Sequence, residues 1–300
     1  MNKHALIDSF SVNFGSVLFS KSKLFRNSIE SPTYEELLNS VTFKWPDIEG
    51  EGYYETPAQT AVGELDPAFH IAEWRGNQYP TLIYHHGNNE RPFSRRPLGK
   101  SSFRDIFLAI KNDIPANLIA VRAPYHCSYK LYIKKIANLA NFKALLAVSV
   151  HLVEALTNYA ARKGSRVVVS GISLGGWVTN LHRIYCNTAG TYLPMLAGTA
   201  PDDVFINSVY RKLTGNPVHD NPAAVTKALN FDNLFFKVKD QNLFPLLARY
   251  DQVIRFERQM ETYKNYPVAV IDKGHITGTM AVKELRKHIL PHLIKTPGAL

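Results

Sequence analysis

The stretch Arg166-Val-Val-Val-Ser-Gly171-Ile-Ser173-Leu-Gly175-Gly-Trp177 decides how this chain is read. Val167, Val168 and Val169 carry β-branched side chains that suit a strand buried on both faces. Gly171, Ser173 and Gly175 then form the pattern Gly-x-Ser-x-Gly, with Gly176 next, and residues from Trp177 to about Asn187 run helically. The bare pattern arises by chance in roughly one chain in ten of this length, so its context has to carry the weight. Strand, sharp turn and helix are that context. A serine at the apex of such a turn sits in a strained backbone conformation, and a side chain at either flanking glycine would collide with a neighbouring strand or helix. The turn presents the Ser173 hydroxyl at the carboxyl edge of a sheet, beside the free N–H groups of a helix start.

Through VVVSGISLGG, together with the features below, the sequence resembles the α/β-hydrolase superfamily over about residues 40 to 295. The resemblance implies a mostly parallel central sheet with helices on both faces. It also implies a triad in the chain order serine, acid, histidine.

The rest of the chain alternates strand and helix signals, as such a sheet requires. Strands are expected at Val41–Trp45, Phe69–Trp74, Thr81–His85 and from Asn117 to near Pro124. Further strands are expected at Tyr192–Gly198, Leu243–Arg249 and Val268–Ile271. Ile136, Leu139, Phe142, Leu146, Val150, Val153 and Leu156 recur every three or four residues, which marks one buried helical face within 130–163. That run is too long for a domain of this size at ~1.5 Å per residue, so a break is expected near Asn138 to Asn141. Shorter helices are expected at Phe103–Lys111, Val204–Leu213, Ala223–Asn230, Glu257–Tyr263 and Met280–Leu290. The domain reading is an N-terminal extension, 1–40, followed by an α/β-hydrolase domain, 41–300, with a short cap insertion at about 202–242.

The reactive residues fall just past the carboxyl ends of the expected strands, where open α/β sheets place their sites. A serine hydroxyl needs a base to take its proton, and the base needs a carboxylate to hold its tautomer. Ser173, Asp251 and His275 lie in the required order, each after its own strand. His275 sits in Gly-His-Ile-Thr-Gly, where a glycine and a loop free the imidazole to reach the serine. His151, His182, His288 and His292 lie on or beside helices and are poor candidates. Asp202 or Asp203, after the sixth strand, is the alternative acid. His85-His86-Gly87-Asn88 matches the superfamily's oxyanion loop in kind and in order. On that resemblance the backbone N–H groups of Asn88 and Leu174 form the oxyanion hole, with the His85 and His86 side chains bonded to nearby backbone.

The expected activity is that of a serine hydrolase cleaving a carboxylic ester or thioester through an acyl-enzyme. An acyltransferase or peptidase on the same triad, and a non-catalytic binding protein, are the alternatives. A serine nucleophile argues against the superfamily branches that use an aspartate there, and no metal or organic cofactor is implied. The chain of 300 residues is 45% hydrophobic and carries a formal charge of +10, with a pI near 9.4. This basicity fits an anionic acyl substrate or only a solvated surface. No zinc-finger, RNP or basic-region pattern points to nucleic acid. Arg91, Arg95, Arg96, Lys100 and Arg104 follow the oxyanion loop with no acid between Glu90 and Asp105, which places positive charge near the expected pocket mouth. Phe10, Val12, Phe14, Val17, Leu18 and Phe19, followed by Lys21, Lys23 and Arg26, allow peripheral membrane contact. The absence of a clean helical face favours an extension packed on the core. Two cysteines, Cys127 and Cys186, suggest no disulfide framework. No apolar run reaches 18 residues and no signal-peptide pattern opens the chain, so cytoplasmic is the default expectation.

Overall fold

The computed structural model describes residues 2–18, 22–94 and 99–294. Its centre is an eight-stranded sheet, with strands β1 (Gly52–Glu55), β2 (Ala68–Glu73), β3 (Thr81–His85) and β4 (Asn117–Arg122), followed by β5 (Val167–Ile172), β6 (Thr191–Met195), β7 (Leu246–Ala248) and β8 (Ala269–Ile271). The spatial order is β8-β7-β6-β5-β3-β4-β2-β1. From β3 onward neighbouring strands are parallel, whereas β2 pairs antiparallel with both β1 and β4.

The period of two along each strand divides the interior into two cores. Ile83, Ile119, Val121, Val167 and Val169 enter one, where the helices Leu139–Arg162 and Leu174–Tyr185 pack. Leu82, Leu118, Ala120, Val168 and Leu193 enter the other, under Phe103 and Ile106 and under Leu285 and Ile289. Each fully buried aliphatic side chain contributes about 1.5–3 kcal/mol. A run such as Val167–Val169 is therefore stable only with helices on both sides of the sheet. The helix Leu139–Arg162 is apolar and long enough to cross a membrane, yet it is mostly buried against this sheet.

The expected helical break falls at 136–138, between Tyr129–Lys135 and Leu139–Arg162. Several expectations need correction. Thr42–Phe43 lies outside the main sheet, in a separate three-stranded sheet with Ala58–Thr60 and Gly63–Leu65. The edge strand β1 comes instead from the Gly- and acid-rich stretch between Pro46 and Pro57, where no strand is expected from the sequence. Its single ladder, to β2, leaves it half-exposed and hides the hydrophobic alternation. The seventh strand shrinks to Leu246–Ala248, because Pro245 precedes it and cannot donate to a ladder. The stretch Phe103–Lys111 splits into an α-helix, Ser102–Ile106, and a 3₁₀ turn, Leu108–Asp113, kinked at Ile110. Between β6 and β7 lie five short helical segments rather than two, punctuated by Gly215, Pro217 and Pro222.

The N-terminal stretch contains a 16-residue helix, Lys3–Leu18. Its buried seam, Ala5, Asp8 and Val12, follows helical spacing, but the polar Asp8 at its centre breaks the apolar pattern. It packs on residues 209–213 and 275–279.

The turn after β5 is as tight as its glycines imply. Ser173 has φ 55° and ψ −111°, a region costly for a residue with a Cβ. A Cβ on Gly175 would lie 2.1 Å from the His85 carbonyl oxygen, and one on Gly171 would lie 2.2 Å from the Gly175 oxygen. Both obstacles are backbone and cannot swing aside. Gly175→Ala should therefore destabilise the fold by about 4 kcal/mol or more, read as a lowered midpoint in urea unfolding. A midpoint equal to wild type would mean that β3 and the elbow helix are not locked together.

Candidate active site

Three loops meet at the carboxyl edge of the sheet. The elbow after β5 carries Ser173, the segment after β7 carries Asp251, and the segment after β8 carries His275. All three residues are buried, with Asp251 1% exposed, His275 6% and Ser173 8%. Ser173 Oγ lies 3.0 Å from His275 Nε2. His275 Nδ1 lies 2.8 Å from Asp251 Oδ2. A carboxylate can only accept, so Nδ1 carries the hydrogen and Nε2 is left to accept from the serine hydroxyl. The other carboxylate oxygen, Oδ1, accepts the N–H groups of Val253 (2.9 Å) and Ile254 (2.8 Å). Those bonds fix the carboxylate plane and leave Oδ2 aimed at the imidazole.

Burial by itself disfavours the imidazolium of His275, but the charge and hydrogen bond of Asp251 outweigh it, and Asp8 adds to them. The His275 pKa stands above the ordinary histidine value. Burial pushes the Asp251 carboxyl upward, against the charge and hydrogen bond of His275.

The alternative acids are engaged elsewhere. Asp203 accepts from Arg255 Nε at 2.9 Å and from Asn207 Nδ2 at 3.0 Å. Asp202 accepts from Asn230 Nδ2 at 3.1 Å. Neither is bonded to His275. Among the other histidines, His182 is bonded to Glu154 and to the Tyr192 hydroxyl, and His288 to the Phe244 carbonyl. Glu154, His182 and Cys186 hold their ligand atoms within 4.8 Å of one another. Both ring nitrogens of His182 are already hydrogen-bonded there, to Glu154 and to the Tyr192 hydroxyl.

Asn88 and Leu174 line the same cavity as Ser173 and His275, a space of about 140 Å³. Leu174 is the first residue of the elbow helix, so its N–H has no acceptor within that helix. His85 and His86 are fully buried and serve the backbone. His86 Nε2 accepts the Ala123 N–H at 3.0 Å, which places the ring hydrogen on Nδ1, 2.6 Å from the Gly87 carbonyl. Burial lowers both pKa values, that of His85 to about 3, so both rings are neutral.

Sequence reasoning passed over Glu90. Its side chain is 1% exposed. One oxygen accepts the Gly87 N–H at 3.2 Å, and the other accepts the N–H and hydroxyl of Ser102, each at 2.7 Å. Glu90 thereby ties the 86–90 loop to the helix behind it. An acid three residues past a glycine turn was its only signal in the sequence. Trp177, Phe142, Phe205 and Val204 wall the cavity with apolar surface, and Lys100 brings a cation to it. Of the basic loop read from the sequence, Arg95 and Arg96 lie outside the described residues.

No protein-family model matches the chain, and no curated protein matches it in sequence. Solved structures do resemble it. An acetyl xylan esterase 1 from Thermoanaerobacterium sp. JW/SL YS485 superposes with a TM-score of 0.58 at 13% identity, covering 93% of this chain and 99% of that one. An acetyl xylan esterase from Paenibacillus sp. R4 gives 0.56 at 11% identity, over 90% and 98% of the two chains. The acylaminoacyl peptidase of Pyrococcus horikoshii gives 0.52 at 15% identity, over 85% of this chain but 44% of that longer one. Likeness at such low identity speaks to architecture alone. With the strand order and the parallel sheet above, it is decisive on that point: this protein has the α/β-hydrolase fold.

Proposed function

We propose that this protein is a serine hydrolase that cleaves carboxylic esters through an acyl-enzyme. The observation that carries the reading is the continuous chain Ser173 Oγ, His275 Nε2, His275 Nδ1, Asp251 Oδ2, with links of 3.0 and 2.8 Å. Two of its structural neighbours are acetyl xylan esterases, which is compatible with it.

In this mechanism Ser173 attacks the acyl carbonyl while His275 takes its proton at Nε2. The Asp251 carboxylate stabilises the imidazolium that forms. Negative charge develops on the carbonyl oxygen, and the N–H groups of Leu174 and Asn88 are its donors. His275 then returns the proton to the leaving alkoxide, and the alcohol departs. A water molecule, deprotonated by the same imidazole, attacks the acyl-serine and releases the acid. The positive φ of Ser173 is the strain that holds its hydroxyl toward His275 rather than toward its own helix.

Three outcomes follow from this reading. Ser173→Ala should abolish p-nitrophenyl ester hydrolysis and labelling by a fluorophosphonate probe, with an unchanged thermal transition. Equal labelling of wild type and variant would refute the nucleophile.

The base works only when neutral, so kcat/KM should fall as pH drops through the His275 pKa. Because that value is raised, the acid limb should lie above the ordinary ~6.5. Asp251→Asn should move it downward and cut kcat by roughly 10⁴, while Asp203→Asn leaves both near wild type. The reverse ranking in a pH–rate series would reassign the acid.

Lys100, on the cavity wall, favours an anionic acyl substrate. Lys100→Gln should raise KM for esters bearing a carboxylate, flatten their salt dependence, and leave neutral esters unaffected. If neutral and anionic esters respond alike in steady-state kinetics, this lysine is not a selectivity element.

A further inference from the structure

Asp8 lies on the N-terminal helix, more than two hundred residues before the segments that hold Asp251 and His275, and its side chain is completely buried. Both oxygens are used, and among the described residues every partner is a backbone N–H of those two segments. Oδ2 accepts from His275 N at 2.7 Å and from Gln252 N at 3.2 Å, and Oδ1 accepts from Ile276 N at 2.9 Å. The short helix His275–Thr279 starts after Gly274, which has no side chain with which to cap it. The carboxylate of Asp8 supplies that cap from another part of the chain. Contact is close enough that a Cβ on Gly274 would lie 2.7 Å from Asp8 Oδ2 and 2.8 Å from the His4 carbonyl oxygen. A further bond joins His4 Nδ1 and Thr277 Oγ1 at 3.0 Å, and the His4 ring stacks on Tyr250, with centroids 6.2 Å apart.

A docking helix does not need a carboxylate here. Its seam is narrow, with Ala5 and Val12 as its buried apolar side chains among the described residues. Burying an acid beside Asp251 costs like-charge repulsion, which is felt as an upward push on the Asp251 carboxyl. What the charge provides in return is a rigid anchor for two loops at once, because charge-assisted bonds to N–H groups are roughly twice as strong as neutral ones. It also adds negative potential next to the imidazole.

We propose that Asp8 is a positioning residue for the Ser173–His275–Asp251 site. It fixes the backbone of His275 and of the residue after Asp251, and so sets the 3.0 Å approach of Nε2 to the serine hydroxyl. The N-terminal helix is then a working part of the active site. This inference rests on the serine-hydrolase reading above.

Asparagine at this position would turn an NH₂ group toward at least one of the three N–H donors. Asp8→Asn should lower kcat by roughly 10²-fold, the loss that a displacement of about 1 Å at a reacting group brings, with KM little changed. The charged and titratable groups around this carboxylate are His275, Asp251, His4 and Tyr250, with Lys100 acting on His275 from across the cavity. Since Asp8 raises the His275 pKa, removing its charge should also move the acid limb of kcat/KM to lower pH. A helix that merely stabilised the fold would lower the melting temperature without moving that limb. Asp8→Ser, smaller and with one acceptor, should show the same shift and provides the readout if the asparagine variant does not fold. A folded variant of either kind with wild-type kcat and an unmoved limb would overturn the proposal. Ser173→Ala separates the two levels. If it stays active, the catalytic reading falls and this one with it. If it is inactive while Asp8→Asn behaves as wild type, this proposal alone falls.

Discussion

The backbone approach between Gly175 and the end of β3 is the constraint on which the rest depends. With no Cβ at Gly175, the first turn of the elbow helix can rest on the carbonyl of His85. That contact forces the chain to reverse between β5 and the helix within one residue, and Ser173 absorbs the reversal with its positive φ. It also brings the helix start, with the Leu174 N–H, beside the loop that begins at His86. The Ser173 hydroxyl and the Leu174 N–H thus share one edge with the 86–90 loop because two backbones approach closely, before any side chain takes part.

The loops around this contact are held by buried carboxylates that accept backbone N–H groups. Glu90 holds the 86–90 loop through Gly87 and Ser102. Asp251 holds its own loop through Val253 and Ile254, and keeps one oxygen for His275. Asp8 holds the histidine segment through His275 and Ile276. Isolated buried charges would be costly, and each of these is offset by hydrogen bonds from fixed donors. Most of the donors are main-chain groups, so those bonds fix loop geometry rather than side-chain rotamers. This suits a site whose reacting atoms must hold positions within a fraction of an ångström.

Trp177, Phe142 and Phe205 put apolar surface on the wall of the cavity that Ser173 also lines. Phe205 comes from the segment between β6 and β7, whose acids Asp203 and Asp232 are paired with Arg255, just before the helix Phe256–Thr262, and with Arg258 within it. That segment is therefore tied by ion pairs to the helix that follows β7. A low-dielectric cavity strengthens the electrostatic terms that the chemistry uses.

The central strands β3 to β6, the two covered faces of the sheet and the elbow were legible along the chain. Continuous β-branched runs, helical periodicity and paired glycines are local signals that no other arrangement satisfies as well. The sequence also put Ser173, Asp251 and His275 at strand ends in chain order, because the topology of a parallel sheet converts order along the chain into position along one edge. Choosing between Asp251 and Asp203 needed tertiary structure. Both follow a strand, and what separates them is that Arg255 lies against one and His275 against the other. The edge strand β1 and the hydrogen bonds of Glu90 and Asp8 likewise emerge only in three dimensions. Their hydrogen-bond partners are mostly backbone N–H groups, which every residue but proline carries and which leave no mark in a sequence. For Asp8 those partners lie some 244 to 268 positions away along the chain.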